Sequence, residues 1–193
     1  MSNPTSDTRF SICIYCASRL GANPDFAKVA ALVGTWIGEH HGHLVFGGGR
    51  AGLMGILADA ALAAGAPVSG VIPRALVERE HAHRGCTELV IAETMDERKR
   101  GMAERADCFL ALPGGVGTFE EFFETWSWHE LGYHRKPIGL LNLDGYYDGL
   151  LAFLRHCVGQ GLMNEQQMQS VQVDSDWRTL LEKLQRASHG VAT

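Results

Sequence analysis

Residues 108–121 read Cys108-Phe109-Leu110-Ala111-Leu112-Pro113-Gly114-Gly115-Val116-Gly117-Thr118-Phe119-Glu120-Glu121. The opening apolar run makes a short strand buried on both faces, and the proline ends it. A glycine-rich turn then opens a helix, so the stretch is one step of a parallel α/β fold. Glycines without Cβ atoms let backbone N–H groups close on a ligand, and a helix N-terminus adds partial positive charge. That combination suits a phosphate. Glu120 and Glu121 are expected in the first turn of the same helix. Carboxylates repel a phosphate, so acids placed there need another task, such as chemistry on the sugar or base of a nucleotide.

The alternation continues on both sides of this stretch. Strands are expected at 10–15, 44–46, 68–72, 89–92, 108–112 and 138–142. Helices are expected at 25–40, 52–64, 96–106, 119–131, 146–160 and 177–185. Short apolar strands separated by helices predict a Rossmann-like, doubly wound parallel sheet with helices on both faces. Ligands bind such sheets at the carboxyl ends of the strands, where Gly47-Gly48-Gly49 and Gly114-Gly115 both fall. Residues 1–193 read as a single nucleotide-binding domain, with 1–8 and 190–193 as loose tails.

The 193-residue chain is 46% hydrophobic and 20% charged, as expected for a globular protein. Its net charge of −5 argues against a nucleic-acid partner, which needs a basic stripe. No stretch has the length of a membrane span, and residues 1–8 lack a signal-peptide core. Five cysteines, an odd number, point to reduced thiols and a cytoplasmic location. Cys13 and Cys16 have redox or zinc spacing, but in a strand they point to opposite faces. His40, His41 and His43, and likewise His81 and His83, are read as solvated loop histidines, with no metal expected.

Gly47, Gly49 and Gly52 spell a dinucleotide fingerprint, a weak signal alone. No acid follows the next strand to take a ribose hydroxyl; Ile72-Pro73-Arg74 stands there, leaving an NADP-type site with Arg74 on the 2′-phosphate as an alternative. Close helix–strand packing explains the same glycines, and packing combined with donation to a ligand is preferred. No Gly-Lys-Ser/Thr follows either glycine cluster, so an ATP-binding P-loop is absent. Met95-Asp96-Glu97-Arg98-Lys99-Arg100 is a basic helical turn that serves either as a solvated face or as a guanidinium clamp. Thr118-Phe119-Glu120-Glu121 spells a capping box, which gives Glu121 a purely structural reading: Thr118 caps the helix and Glu121 reaches back.

The run 113–121, with Met95-x-x-Arg98-Lys99, Gly47-Gly48-Gly49 and Gly52-Leu53-Met54-Gly55, resembles the LONELY GUY family. These are cytokinin riboside 5′-monophosphate phosphoribohydrolases, formerly labelled lysine decarboxylase-like. The likeness runs from Tyr15-Cys16 to Asp144-Gly145-Tyr146-Tyr147. It implies that Arg98 and Glu121 are catalytic. It implies substrate contacts from Glu80, Lys99, Gly114, Gly115, Val116, Gly117, Thr118, Glu120 and Ser127. Gly48, Gly49 and Ser18 complete the expected substrate set. Cys16-Ala17-Ser18-Arg19 and Arg50 depart from the plant pattern near the nucleotide mouth. Nothing identifies a pyridoxal-phosphate lysine, and no cofactor is expected. The expected reaction is hydrolysis of the N-glycosidic bond of a nucleoside 5′-monophosphate by a homodimer. A nicotinamide-dependent oxidoreductase and a nucleotide carrier without turnover are the alternatives.

Overall fold

The computed structural model describes residues 10–77 and 82–190. Seven strands form one sheet in which every pair is parallel. In chain order the elements are β1 (Phe10–Tyr15), α1 (Pro24–Glu39), β2 (Gly42–Phe46), α2 (Gly52–Ala63), β3 (Val68–Pro73), β4 (Glu88–Ala92) and α3 (Met95–Glu104). They continue as β5 (Cys108–Ala111), α4 (Val116–Glu130), β6 (Ile138–Leu141), α5 (Asp148–Gly159), α6 (Glu165–Gln169), β7 (Val171–Asp174) and α7 (Trp177–His189). The spatial order β4-β3-β2-β1-β5-β6-β7 means the chain builds outward from β1, then returns to its other side. The direction reverses between β1 and β5, the place where such sheets leave a crevice for ligands.

Both faces of the sheet are covered. On one, Ile12, Ile14, Leu44, Phe46 and Leu110 pack against Val33, Trp36, Leu57 and Leu181 from α1, α2 and α7. On the other, Cys13, Val45, Phe109 and Leu140 pack against Met102, Phe122, Trp126 and Leu154 from α3, α4 and α5. Cys16 belongs to the first cluster and Cys13 to the second, so the two sulfurs diverge as strand geometry predicts. All five cysteines are free thiols.

Six strands and six helices fall where the periodicity puts them. β7 and α6 are additional. Val171-Gln172-Val173-Asp174 is an edge strand in which Gln172 is half-buried and Val173 exposed, so it lacks the continuous apolar run of its neighbours. The expected loop histidines need correction at two positions. His43 lies within β2 between Ser11 and Ser69, and His83 is 3% exposed with Nε2 2.9 Å from Asp59 Oδ1. Both are held by partners distant in sequence. His81 lies outside the described residues, as do the expected tails except Gly190, which caps α7. None of the described helices is long and apolar enough to cross a membrane.

Candidate active site

α4 starts three residues earlier than expected, at Val116, and this changes the reading of every residue in the turn. Gly115 is the N-cap, no side chain caps the helix, and no acid lies in the first turn. The capping box is therefore not formed, although Thr118 and Glu121 have its spelling. Thr118 instead sits buried inside the first turn against Gly114, at a distance no Cβ on Gly114 would permit. Glu120 and Glu121 move to the second turn, which removes the conflict between carboxylates and a phosphate at the helix mouth. The first-turn N–H groups have no intrahelical partner and concentrate positive potential there.

Glu121 is nearly buried and faces Arg98, with Nη2 3.0 Å from Oε1. Arg98 comes from the first turn of α3, which Thr94 caps by accepting from Glu97 N at 3.1 Å. Its Nε donates to Val71 O at the end of β3, 3.2 Å away. Its Nη2 lies against Gly47, at the end of β2, where any Cβ would overlap the guanidinium. The arginine thus lies across the carboxyl ends of two strands and reaches the third element, α4. An ion pair this buried costs desolvation and is poor evidence of a stabilising role. A function is the better account of it.

Cys16, Ala17, Ser18 and Arg19 after β1, Met54 on α2, and Gly115, Val116, Gly117 and Thr118 surround the pair in a cavity of about 400 Å³. The cavity lies at the β1/β5 reversal. Cys16 in its wall is an unreactive thiol, since burial pushes it far above its ordinary range. Burial likewise raises Tyr15, whose hydroxyl lies 2.8 Å from Thr125 Oγ1, one helical turn beyond Glu121.

Of the residues expected at the site, Arg98, Glu121, Ser18, Gly115, Val116, Gly117 and Thr118 line this cavity. Gly114 is buried behind it. Lys99 and Glu120 flank it and bind each other, with Lys99 Nζ 2.6 Å from Glu120 Oε1 and 2.9 Å from Glu124 Oε1. Burial pulls the Lys99 ammonium down, yet the bonds to the two carboxylates leave it above its ordinary value. Ser127 is exposed farther along α4 and does not line the cavity. Gly48 and Gly49 are buried and hold the chain at 82–83 through Gly48 O and a bridge from Gly49 to Ala82. Glu80 lies outside the described residues.

The glycine fingerprint serves this chain's own packing. Gly52 has φ of +60°, and a β-carbon there would overlap the Ser18–Arg19 backbone, as one on Gly47 would overlap Arg98. Arg74, the candidate partner for a 2′-phosphate, is exposed and paired with Glu93 at 2.6 Å. Arg19 and Met54 are cavity residues absent from the expected set; Arg19 was visible only as a departure from the plant pattern.

Residues 54–184 match the family described as "Possible lysine decarboxylase". Cytokinin riboside 5′-monophosphate phosphoribohydrolase LOG7 of Arabidopsis thaliana is 44% identical over 153 residues, covering 79% of this chain and 70% of that one. The cytokinin riboside 5′-monophosphate phosphoribohydrolase of Rhodococcoides fascians is 45% identical over 154 residues, covering 79% and 78%. Among solved structures, the molybdenum cofactor binding protein of Rippkaea orientalis superposes with a TM-score of 0.66 at 19% identity, covering 91% and 94%. The molybdenum cofactor carrier protein of Chlamydomonas reinhardtii gives 0.66 at 16% identity, covering 92% and 96%. At that identity the likeness concerns the fold. The chain belongs to the LONELY GUY family of cytokinin riboside 5′-monophosphate phosphoribohydrolases.

Proposed function

We propose that this protein hydrolyses the N-glycosidic bond of adenosine 5′-monophosphates, N6-modified ones included, releasing free base and ribose 5-phosphate. Membership of the family supports the reaction. The observation that carries the assignment to a site is the buried Arg98–Glu121 pair beside a helix whose first turn carries no acid.

In this reading the backbone N–H groups at 114–118 hold the 5′-phosphate, and that anchor places C1′ of the ribose near Glu121. As the bond from C1′ to the base nitrogen breaks, positive charge develops on the ribose. The Glu121 carboxylate stabilises it and takes a proton from the attacking water, whose oxygen forms the new bond to C1′. The departing base carries the bonding electron pair and gains a proton. Arg98 orients Glu121 and the substrate. Two-carboxylate glycosidases need a second acid to protonate a poor leaving group. A purine is a better one, so one carboxylate and an arginine suffice.

The reading also makes the enzyme a cytoplasmic homodimer, supported by five free thiols and by apolar side chains exposed at Leu131, Tyr133, Phe153 and Leu162. Incubation with N6-isopentenyl-AMP, AMP and adenosine, followed by chromatography, tests the reaction. Free base should come from the monophosphates and far more slowly from adenosine. No base from any monophosphate would leave a carrier; absorbance change with NADP and substrate would favour the oxidoreductase.

A further inference from the structure

We propose that Tyr146 and Tyr147 are positioning residues that fix the polarity of the phosphate-binding turn; this rests on the reading of 114–118 as the phosphate anchor. The four successive carbonyls of the turn are all taken. Leu112 O accepts from the Tyr147 hydroxyl at 2.7 Å, and Gly114 O accepts from the Tyr146 hydroxyl at 2.7 Å. Pro113 O accepts from Ala17 N at 3.3 Å, and Gly115 O from Phe119 N at 3.0 Å. The N–H of Gly115, by contrast, finds no acceptor among the described residues, while that of Gly114 is directed at the Tyr147 hydroxyl oxygen. Carbonyls bound on one side and the Gly115 donor left over beside the open first turn of α4 make an anion-binding concavity.

Such a turn needs holding. The peptide between Gly114 and Gly115 is flanked by residues without Cβ atoms, so it can rotate at little steric cost. A rotation of half a turn would replace the Gly115 N–H with the Gly114 carbonyl, presenting partial negative charge to an anion. The Tyr146 hydroxyl opposes that rotation directly. It approaches from a separate apolar cavity of about 430 Å³, lined by Leu20, Phe26 and Tyr146, for which Gly114 and Gly115 form one wall. Gly115, with Ala17 and Arg19, is shared between this cavity and the one that holds Arg98 and Glu121.

The two tyrosines are themselves held by a built turn. Asp144 and Gly145 adopt left-handed conformations, with φ of 51° and 72°. Asn142 Oδ1 accepts from Tyr147 N at 2.7 Å, while its Nδ2 donates to Asp148 Oδ1 at 2.8 Å. Asn23 Nδ2 donates to Asp144 Oδ2 at 2.8 Å, tying the turn to the start of α1. Edge-to-face contacts of Tyr146 with Phe26 and Tyr147, at 5.3 and 4.9 Å between centroids, fix the rings.

Tyr146→Phe and Tyr147→Phe keep the rings and remove only the hydroxyls. Calorimetric titration of Tyr146→Phe should show Kd for ribose 5-phosphate raised about three- to tenfold, the worth of one hydrogen bond. Its KM for AMP should rise by the same factor, with kcat and the affinity for phosphate-free adenosine unchanged. Tyr147→Phe should shift the same quantities, with a lower Tm because Leu112 O is left buried and unpaired. Unchanged affinity for ribose 5-phosphate in both variants would overturn the proposal, as would equal losses for ribose 5-phosphate and adenosine. Wild-type enzyme that releases no base would defeat the proposed reaction, yet the ribose 5-phosphate titration would still decide the role of the tyrosines.

Discussion

Gly47 and Arg98 are in such close approach that a β-carbon on the glycine would take the space of Nη2. The obstructed atom is the tip of a long side chain, not backbone, so it can move aside. Gly47→Ala should therefore fold and displace the guanidinium from Glu121. A displacement of about 1 Å at a reacting group costs on the order of 100-fold in rate. Steady-state hydrolysis of AMP checks this, and full activity in Gly47→Ala would show that the position of Arg98 is not critical.

Glu121→Gln separates charge from shape. The amide oxygen can still accept from Arg98, but the negative charge is gone. kcat should fall at least about 100-fold while AMP still binds. Because Gly115 caps α4, no capping energy is lost. Stability should drop by about 1–3 kcal/mol, since Arg98 loses its buried counter-charge. Near wild-type kcat would remove Glu121 from the mechanism.

Stability should fall as pH drops through 6.5. Ser69 donates its hydroxyl proton to Glu88, 3.0 Å away, so His43 donates from Nε2 to Ser69 and accepts from Ser11 at Nδ1. The ring is neutral. Burial lowers its pKa from 6.5, Glu88 and Asp107 oppose this, and Arg105 reinforces it. Burial also lowers His134. The unfolded chain binds these protons near 6.5 and the folded chain only below that, so the unfolding free energy declines from 6.5 down to the folded values and is flat above. The slope should reach at most about 1.4 kcal/mol per pH unit for each histidine. Urea unfolding at a series of pH values gives the curve; His43→Gln should flatten it, and an unaltered slope would assign the effect elsewhere.

Light scattering at micromolar concentration should give twice the 21.1 kDa mass of one chain. On α4, Phe122 and Trp126 are taken up by the chain's own core, at 2% and 5% exposed. Just past its end, Leu131 and Tyr133 are 68% and 77% exposed. A charged residue at Leu131 should shift the mass toward the monomer, and a monomeric wild type would end the argument.

The fold was legible because buried parallel strands are written as apolar runs and glycine turns mark their ends. The site was legible in part. The turn at 114–118 declares itself by composition, and Glu121 by its place after it. Its meeting with Arg98, a residue of the preceding helix, could be inferred only from resemblance, since a solvated basic helix has the same spelling. The capping-box spelling at Thr118 puts the start of α4 too late, whereas the burial of Thr118 against Gly114 decides the matter. His43 and His83 escaped for a related reason: their partners Ser11 and Asp59 are 32 and 24 residues away. Tyr146 and Tyr147 carry no motif of their own; only the carbonyls they meet reveal them.

The reversal at β1 bears on how the chain is made. On a ribosome, β1 to β4 emerge first and pair among themselves, while the other edge of β1 waits for β5, about a hundred residues behind the start of β1. That edge belongs to Phe10-Ser11-Ile12-Cys13-Ile14-Tyr15, the middle of the finished sheet, and carries none of the charges that protect a natural edge. A nascent chain arrested near residue 107 exposes it as an open pairing template. The switch that creates the ligand crevice thus leaves the half-made protein dependent on speed of synthesis or on a chaperone, and premature termination there yields an aggregating fragment rather than a smaller stable sheet.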